Sequence, residues 1–155
     1  MVELDLAGNR LTGVPSPAFH FATGLMALSL AANPITGLKA GAFAELRQLA
    51  KLDLSRCEIA AVEAGAFEGL ERLERLELHG NRLASLGVGV AAQLPATLHG
   101  ITLHDNPWEC DCRLRELKDW LSRSNVPRTV EPVCERPIRL QGFRVGVLRN
   151  GERIL

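Results

Sequence analysis

The segment Leu4-x-Leu6-x-x-Asn9-x-Leu11 returns four more times in register, and such a repeat leaves a chain few ways to fold. It recurs as Leu28-x-Leu30-x-x-Asn33-x-Ile35 and Leu52-x-Leu54-x-x-Cys57-x-Ile59. The last two copies are Leu76-x-Leu78-x-x-Asn81-x-Leu83 and Ile101-x-Leu103-x-x-Asn106-x-Trp108. The ladder position steps through 9, 33, 57, 81 and 106, three periods of 24 and one of 25. In a strand the two leucines of Leu-x-Leu point one way and the residue between them points the other. A unit this short cannot bury its leucines alone, so stacked units must share one core. The pattern predicts an α/β solenoid whose short strands stack into a parallel sheet on the concave side. Each ladder Asn falls where the chain turns inward, with its amide placed to satisfy backbone groups of the neighbouring coil. A second recurrence, Gly41-Ala42-Phe43-x-x-Leu46-x-x-Leu49 and Gly65-Ala66-Phe67-x-x-Leu70-x-x-Leu73, predicts that Phe19, Phe43 and Phe67 stack on the convex side.

These two recurrences match the leucine-rich-repeat pattern, and the longer form is similar to the animal extracellular class of these repeats. The resemblance implies a right-handed horseshoe. Five repeats fill residues 1–105, and Met1 enters the first of them part-way. No N-terminal cap or signal peptide is read at the start, and the open coil is expected to expose Leu4, Leu6 and Leu11. Cys57 replaces Asn in the ladder, and the expectation is a buried, reduced, unpaired thiol. A bridge from Cys57 to Cys112 would have to span two coils, roughly 10 Å, which is too far for a disulfide.

After the last repeat the pattern changes to Asn106-Pro107-Trp108-Glu109-Cys110-Asp111-Cys112. Leu114, Leu117, Trp120 and Leu121 then follow at helical spacing, with Arg115–Asp119 and Asp119–Arg123 as i,i+4 pairs on the other face. Pro127 stops that helix. Cys134-x-x-Pro137-x-x-Leu140-x-Gly142 comes next. This arrangement resembles the cysteine-rich C-terminal flanking cap of extracellular leucine-rich-repeat proteins, here residues 106–155. A helical, disulfide-bonded cap would cover the last leucines, with Trp108 and Trp120 as lids. The resemblance implies a Cys110–Cys134 disulfide. It also implies a partner for Cys112 near Leu155, where no cysteine stands, so the cap reads as incomplete and Cys112 as unpaired. A zinc site at Cys110 and Cys112 would need further Cys or His nearby, and the segment has none. The cap is most similar to that of kekkon-like receptors, in which leucine-rich repeats precede an immunoglobulin domain. That implies cell-surface or extracellular recognition of a protein ligand or receptor ectodomain. The alternatives are a secreted matrix protein of the same repeat class, or a cytosolic repeat scaffold or inhibitor.

Charge and composition narrow the function. Eighteen basic residues balance eighteen acidic ones, which gives no reason to expect a nucleic-acid partner. The balance conceals an asymmetry of −5 over residues 1–112 and +5 over residues 113–155. The basic tail, Arg136, Arg139, Arg144, Arg149 and Arg153, suits weak contact with acidic glycans. No apolar stretch is long enough to cross a membrane, so a membrane link would run through segments outside this chain. No Ser or Cys nucleophile stands in register with a His and a carboxylate, and no Gly-rich phosphate loop occurs. The sequence therefore predicts a binding module without enzyme activity, cofactor or metal.

The non-leucine positions of the strands form columns across the concave face. Repeats 1 and 2 place mostly small residues there, whereas repeats 3–5 are charged. The candidate partner-binding strip is Lys51, Asp53, Ser55, Arg56, Arg75, Glu77, His79, Thr102, His104 and Asp105. Asp53 and Glu77 are like-charged neighbours flanked by Lys51 and Arg75. His79 and His104 share a column on adjacent strands, about 5 Å apart.

Overall fold

The structure is a computed structural model, and it describes residues 2–128 and 130–148. Arg149, Arg153 and the position near Leu155 therefore lie outside the described residues. Each Leu-x-Leu motif supplies one strand of a parallel sheet: β1 (Glu3–Asp5), β2 (Ala27–Ser29), β4 (Lys51–Asp53), β6 (Arg75–Glu77) and β7 (Gly100–Thr102). The strands lie side by side in chain order, with Leu4, Leu28, Leu52, Leu76 and Ile101 in one row. A smaller parallel pair, β3 (Gly37–Leu38) and β5 (Ala61–Val62), lies further along the coils.

The register continues past each strand. Leu6, Leu30, Leu54 and Leu78 donate their amides to Ser29, Asp53, Glu77 and Thr102 of the next coil, at 2.9–3.0 Å. Two residues on, Gly8, Ala32, Arg56 and Gly80 donate to Ala31, Ser55, His79 and His104. The backbone just before each ladder position is left-handed, with φ between 55° and 72° at Gly8, Ala32, Arg56, Gly80 and Asp105. Glycine adopts that conformation without strain, whereas Ala32, Arg56 and Asp105 occupy it at a cost.

The ladder amides act as the repeat predicts. Asn81 Nδ2 donates to the carbonyls of Leu54 and Leu78, and its Oδ1 accepts from the Ile59 amide. Asn33 makes the same set to Leu6, Leu30 and Leu11. Asn9, in the first coil, is exposed and bonds back only to Leu6 and Ala7. Cys57 is a free, buried thiol whose Sγ donates weakly to the Leu30 carbonyl at 3.3 Å. Burial raises its pKa, which keeps the thiol protonated. A thiol offers no acceptor equivalent to Oδ1, and the Ile35 amide, which would have used one, turns to the Asn33 carbonyl instead. Cys57→Asn restores the missing acceptor. It is expected to raise unfolding free energy by about 1 kcal/mol, the net worth of one such bond. Urea unfolding of the two chains checks this, and an unchanged or lowered midpoint counts against it.

Phe19, Phe43 and Phe67 form the second ladder, with ring centroids 6.2 Å and 6.4 Å apart and Phe43 fully buried between its neighbours. The leucines of all five coils and these rings belong to one continuous core. Leu4, Leu6 and Leu11 of the first coil are only half-buried.

The C-terminal segment closes on the same core. Trp108 is fully buried, and its Nε1 donates to the Leu103 carbonyl at 2.8 Å. Strand β8 (Trp108–Glu109) pairs in parallel with β9 (Cys134–Arg136), and Cys110 is disulfide-bonded to Cys134 beside them. Asp111 caps the turn that follows by accepting from the Arg113 amide and guanidinium. Helix α1 (Arg115–Arg123) buries Leu117 and Leu121 and packs against the turn Val145–Val147. Glu116 Oε2 accepts from the Gly89 amide, tying the helix to the last coil. Trp120 packs half-buried against the core, at the wall of a cleft. One expectation changes here. Asp119 pairs with Lys118 at 3.4 Å, while Arg123 Nε reaches the Asp119 backbone carbonyl, so the pairings expected of Asp119 with Arg115 and Arg123 are replaced.

Candidate protein-binding face

The sheet carries the candidate strip because its alternate residues have nowhere to point but outward. Register places Lys51 beside Arg75, and Asp53 beside Glu77, which in turn neighbours Thr102. Lys51, Arg56, Arg75 and Asp105 are exposed, and Asp53, Glu77, His79 and His104 are half-buried. Arg75 offsets the like charges of Asp53 and Glu77 by pairing with Glu77 at 3.6 Å. Asp53 is held differently: its Oδ1 accepts from the Ser55 amide at 2.9 Å and the Ser55 hydroxyl at 2.6 Å. Asp5 does the same for Ala7 in the first coil. In β1 and β4 the aspartate between the leucines thus fixes the turn that follows it, and its carboxylate is pre-oriented.

Ser55 and Thr102 share the columns of the strip but are buried there, with their hydroxyls bonded to its other members. Ser55 holds Asp53, while Thr102 accepts from the Leu78 amide and bonds His79 Nδ1. Both hydroxyls thus hold neighbouring groups of the strip in place. His79 and His104 stack in parallel, with ring centroids 4.7 Å apart.

The strip divides into two zones. Lys51, Asp53, Arg75 and Glu77 line a shallow depression of about 520 Å³ across the strands, shared with Glu3, Asp5, Ala27 and Ser29. The histidine pair stands outside that depression. Reading charge alone missed the contribution of the first two strands, whose small Ala27 and Ser29 make the hollow. A second cleft of about 570 Å³ runs between the last coil and the end of α1, lined by Leu94, Leu98, His99, Trp120, Arg123 and Val126 among others. Nothing in the periodicity pointed to it. Among the described residues, no three His, Cys, Asp or Glu side chains group as metal ligands. Likewise no described helix is long and apolar enough to cross a membrane.

A sheet of stacked coils with an exposed polar face and a continuous leucine core defines a repeat protein of the solenoid class. A family model for the leucine rich repeat matches residues 1–59 and 47–107, and the chain belongs to that family. Similar stretches occur in leucine-rich repeat-containing protein 70 of Homo sapiens, 36% identical over 62 residues, which is 40% of this chain and 10% of that protein. SLIT and NTRK-like protein 5 of Mus musculus is 46% identical over 43 residues, 27% of this chain and 4% of the relative. Reticulon-4 receptor-like 2 of Mus musculus is 39% identical over 61 residues, 39% of this chain and 14% of the relative. The aligned stretches thus span only a small part of these relatives.

Proposed function

We propose that this chain is the recognition part of an extracellular or cell-surface protein and binds a protein ligand or receptor ectodomain through its concave face. On this reading residues 1–105 form five repeats of a right-handed horseshoe, and residues 106–155 form its cysteine-rich cap. The observation that carries the proposal is the strip itself. Lys51, Arg56, Arg75 and Asp105 stand exposed on a sheet whose backbone is bonded coil to coil, so charges are presented at fixed spacing. Such a surface steers and orients a charged partner. The relative whose name includes receptor-like agrees with a recognition role. The Cys110–Cys134 disulfide favours an oxidising compartment over a cytosolic scaffold. The reading covers both a kekkon-like receptor and a secreted matrix protein. Exposed Arg136, Arg139 and Arg144 add a basic edge suited to weak contact with acidic glycans.

The test is a panel of purified receptor ectodomains screened against the chain by biolayer interferometry, followed by charge reversal. Lys51→Glu with Arg75→Glu is expected to weaken the selected partner at least tenfold. Arg47→Glu, an exposed substitution on the phenylalanine side of the coil, is expected to change affinity less than twofold. Equal loss in both variants, or none in the first, sinks the concave face as the binding surface.

A further inference from the structure

The stacked pair His79–His104 has features that a merely solvated pair of imidazoles lacks. The Thr102 hydroxyl accepts from the Leu78 amide at 3.1 Å and lies 2.8 Å from His79 Nδ1. Thr102 is buried, so its one proton has a single useful destination, the Nδ1 lone pair. That bond places the His79 proton on Nε2. His104 Nδ1 is buried with no partner. An unpaired lone pair is tolerated there far better than an unpaired N–H, so His104 also carries its proton on Nε2. Both rings are thereby fitted to the neutral form, and they lie face to face, 4° from parallel.

We infer that the His79–His104 stack is a proton-operated switch in the binding strip, closed when both rings are neutral and opened when either is protonated. The inference rests on the recognition reading only for its biological use, since the switch belongs to the free chain. Protonating His79 turns Nδ1 into a donor, displaces the Thr102 proton into a buried position and sets a charge against the second ring. Protonating His104 places a donor at Nδ1 where nothing accepts it. The carboxylates nearby are already committed: Asp53 holds Ser55 and Glu77 pairs with Arg75. Arg56 adds a positive charge on the β4 side, and Asp105 stands exposed next to His104. Burial pushes the His79 pKa below the usual imidazole value, and His104 and Arg56 push the same way, against Glu77 and Asp53. A group depressed in the fold stabilises it above the ordinary imidazole pKa, and that contribution is lost as pH falls through the folded value.

The backbone at both histidines stays locked during opening. The His79 carbonyl accepts from Arg56, and the His104 carbonyl accepts from Gly80. Opening is therefore a rotation of side chains out of the stack, which remakes the strip while the sheet persists. A partner seated on the closed stack is released by mild acid.

Ring-selective ¹H–¹⁵N spectra of the whole chain, from pH 8 to pH 5, test this without a partner. At pH 8 both rings are expected as Nε2–H tautomers. On acidification, the Leu78 and Gly80 amides are expected to shift together with the His79 ring. Thr102→Val and His104→Phe are each expected to move the His79 midpoint upward, with the remaining amide spectrum unchanged. The double variant His79→Phe/His104→Phe keeps two stacked rings and is expected to lose the amide response. An Nδ1–H tautomer at His79, a midpoint indifferent to both single substitutions, or an amide response that survives in the double variant overturns the switch. Binding by a partner that ignores pH while the free chain switches overturns only the proposed use. Failure to find any partner leaves the switch result standing and counts against the recognition reading alone.

Discussion

Replacing Cys110 and Cys134 together by alanine is expected to lower stability by about 3.5 kcal/mol, the loop-closure value for two cysteines 24 residues apart. For a chain of this size that lowers the melting temperature by roughly 10 °C. The effect has a definite place. Both sulfurs are buried against the core next to the β8–β9 pair. The disulfide fixes the return of the chain after α1, so that Leu140, Val145 and Leu148 reach the hydrophobic core. A solenoid is held together by neighbour contacts, so the damage should stay near the end where the constraint is lost. Hydrogen exchange is expected to show faster opening across α1 and β9, while β2 and β4 keep their protection. A loss below about 1 kcal/mol, or one spread evenly over the sheet, counts against this account. Reducing the parent chain should reproduce the same pattern.

How much of this was legible in the sequence depends on what each feature rests on. The strand leucines, the Asn ladder and the three stacked phenylalanines follow from a 24-residue period, because period fixes which residues share a row. The charged columns follow for the same reason. What period does not fix is the choice a side chain makes among partners at equal distance. Ser55 and Thr102 fall in outward-facing columns, yet both are buried, Ser55 bonded to Asp53 and Thr102 to His79 and the Leu78 amide. Asp119 could have bonded Arg115 four residues back, yet it takes the adjacent Lys118. The left-handed residues show a different gap. Gly8 and Gly80 hint at a special backbone, but Ala32, Arg56 and Asp105 in the same row hide it from a composition reading. The depression over the first strands was missed because it is made by small residues, and small residues carry no charge signal. The cleft beside Trp120 joins segments with no shared period, so only three-dimensional packing reveals it.

Asn106→Leu is expected to cost about 4 kcal/mol, more than a single hydrogen bond is worth, although the substitution adds apolar surface to a buried site. The reason lies in what the amide leaves behind. Its Oδ1 accepts from both the Asn81 and Leu83 amides at 3.1 Å, and its Nδ2 donates to the carbonyls of Leu78, Leu103 and His104. Leucine fills the volume and satisfies none of them. Two backbone donors are then stranded beneath the surface, each costing roughly 1–3 kcal/mol, and the carbonyls lose a shared donor. Cys57 shows that one substituted rung can be accommodated, because the thiol still donates and the Ile35 amide finds another carbonyl. Asn106 has less freedom. Its rung serves two amides at once, and the next residues lead into Pro107 and the buried Trp108. Asn106→Asp keeps an acceptor for Asn81 and Leu83, removes the donor and, while ionised, buries a negative charge against the three carbonyls. Its cost at pH 7 is expected to exceed that at pH 4, where the protonated acid regains a donor. Urea unfolding of the three chains at both pH values checks this. A leucine variant within about 1 kcal/mol of the parent means the rung is not what binds the last coils together.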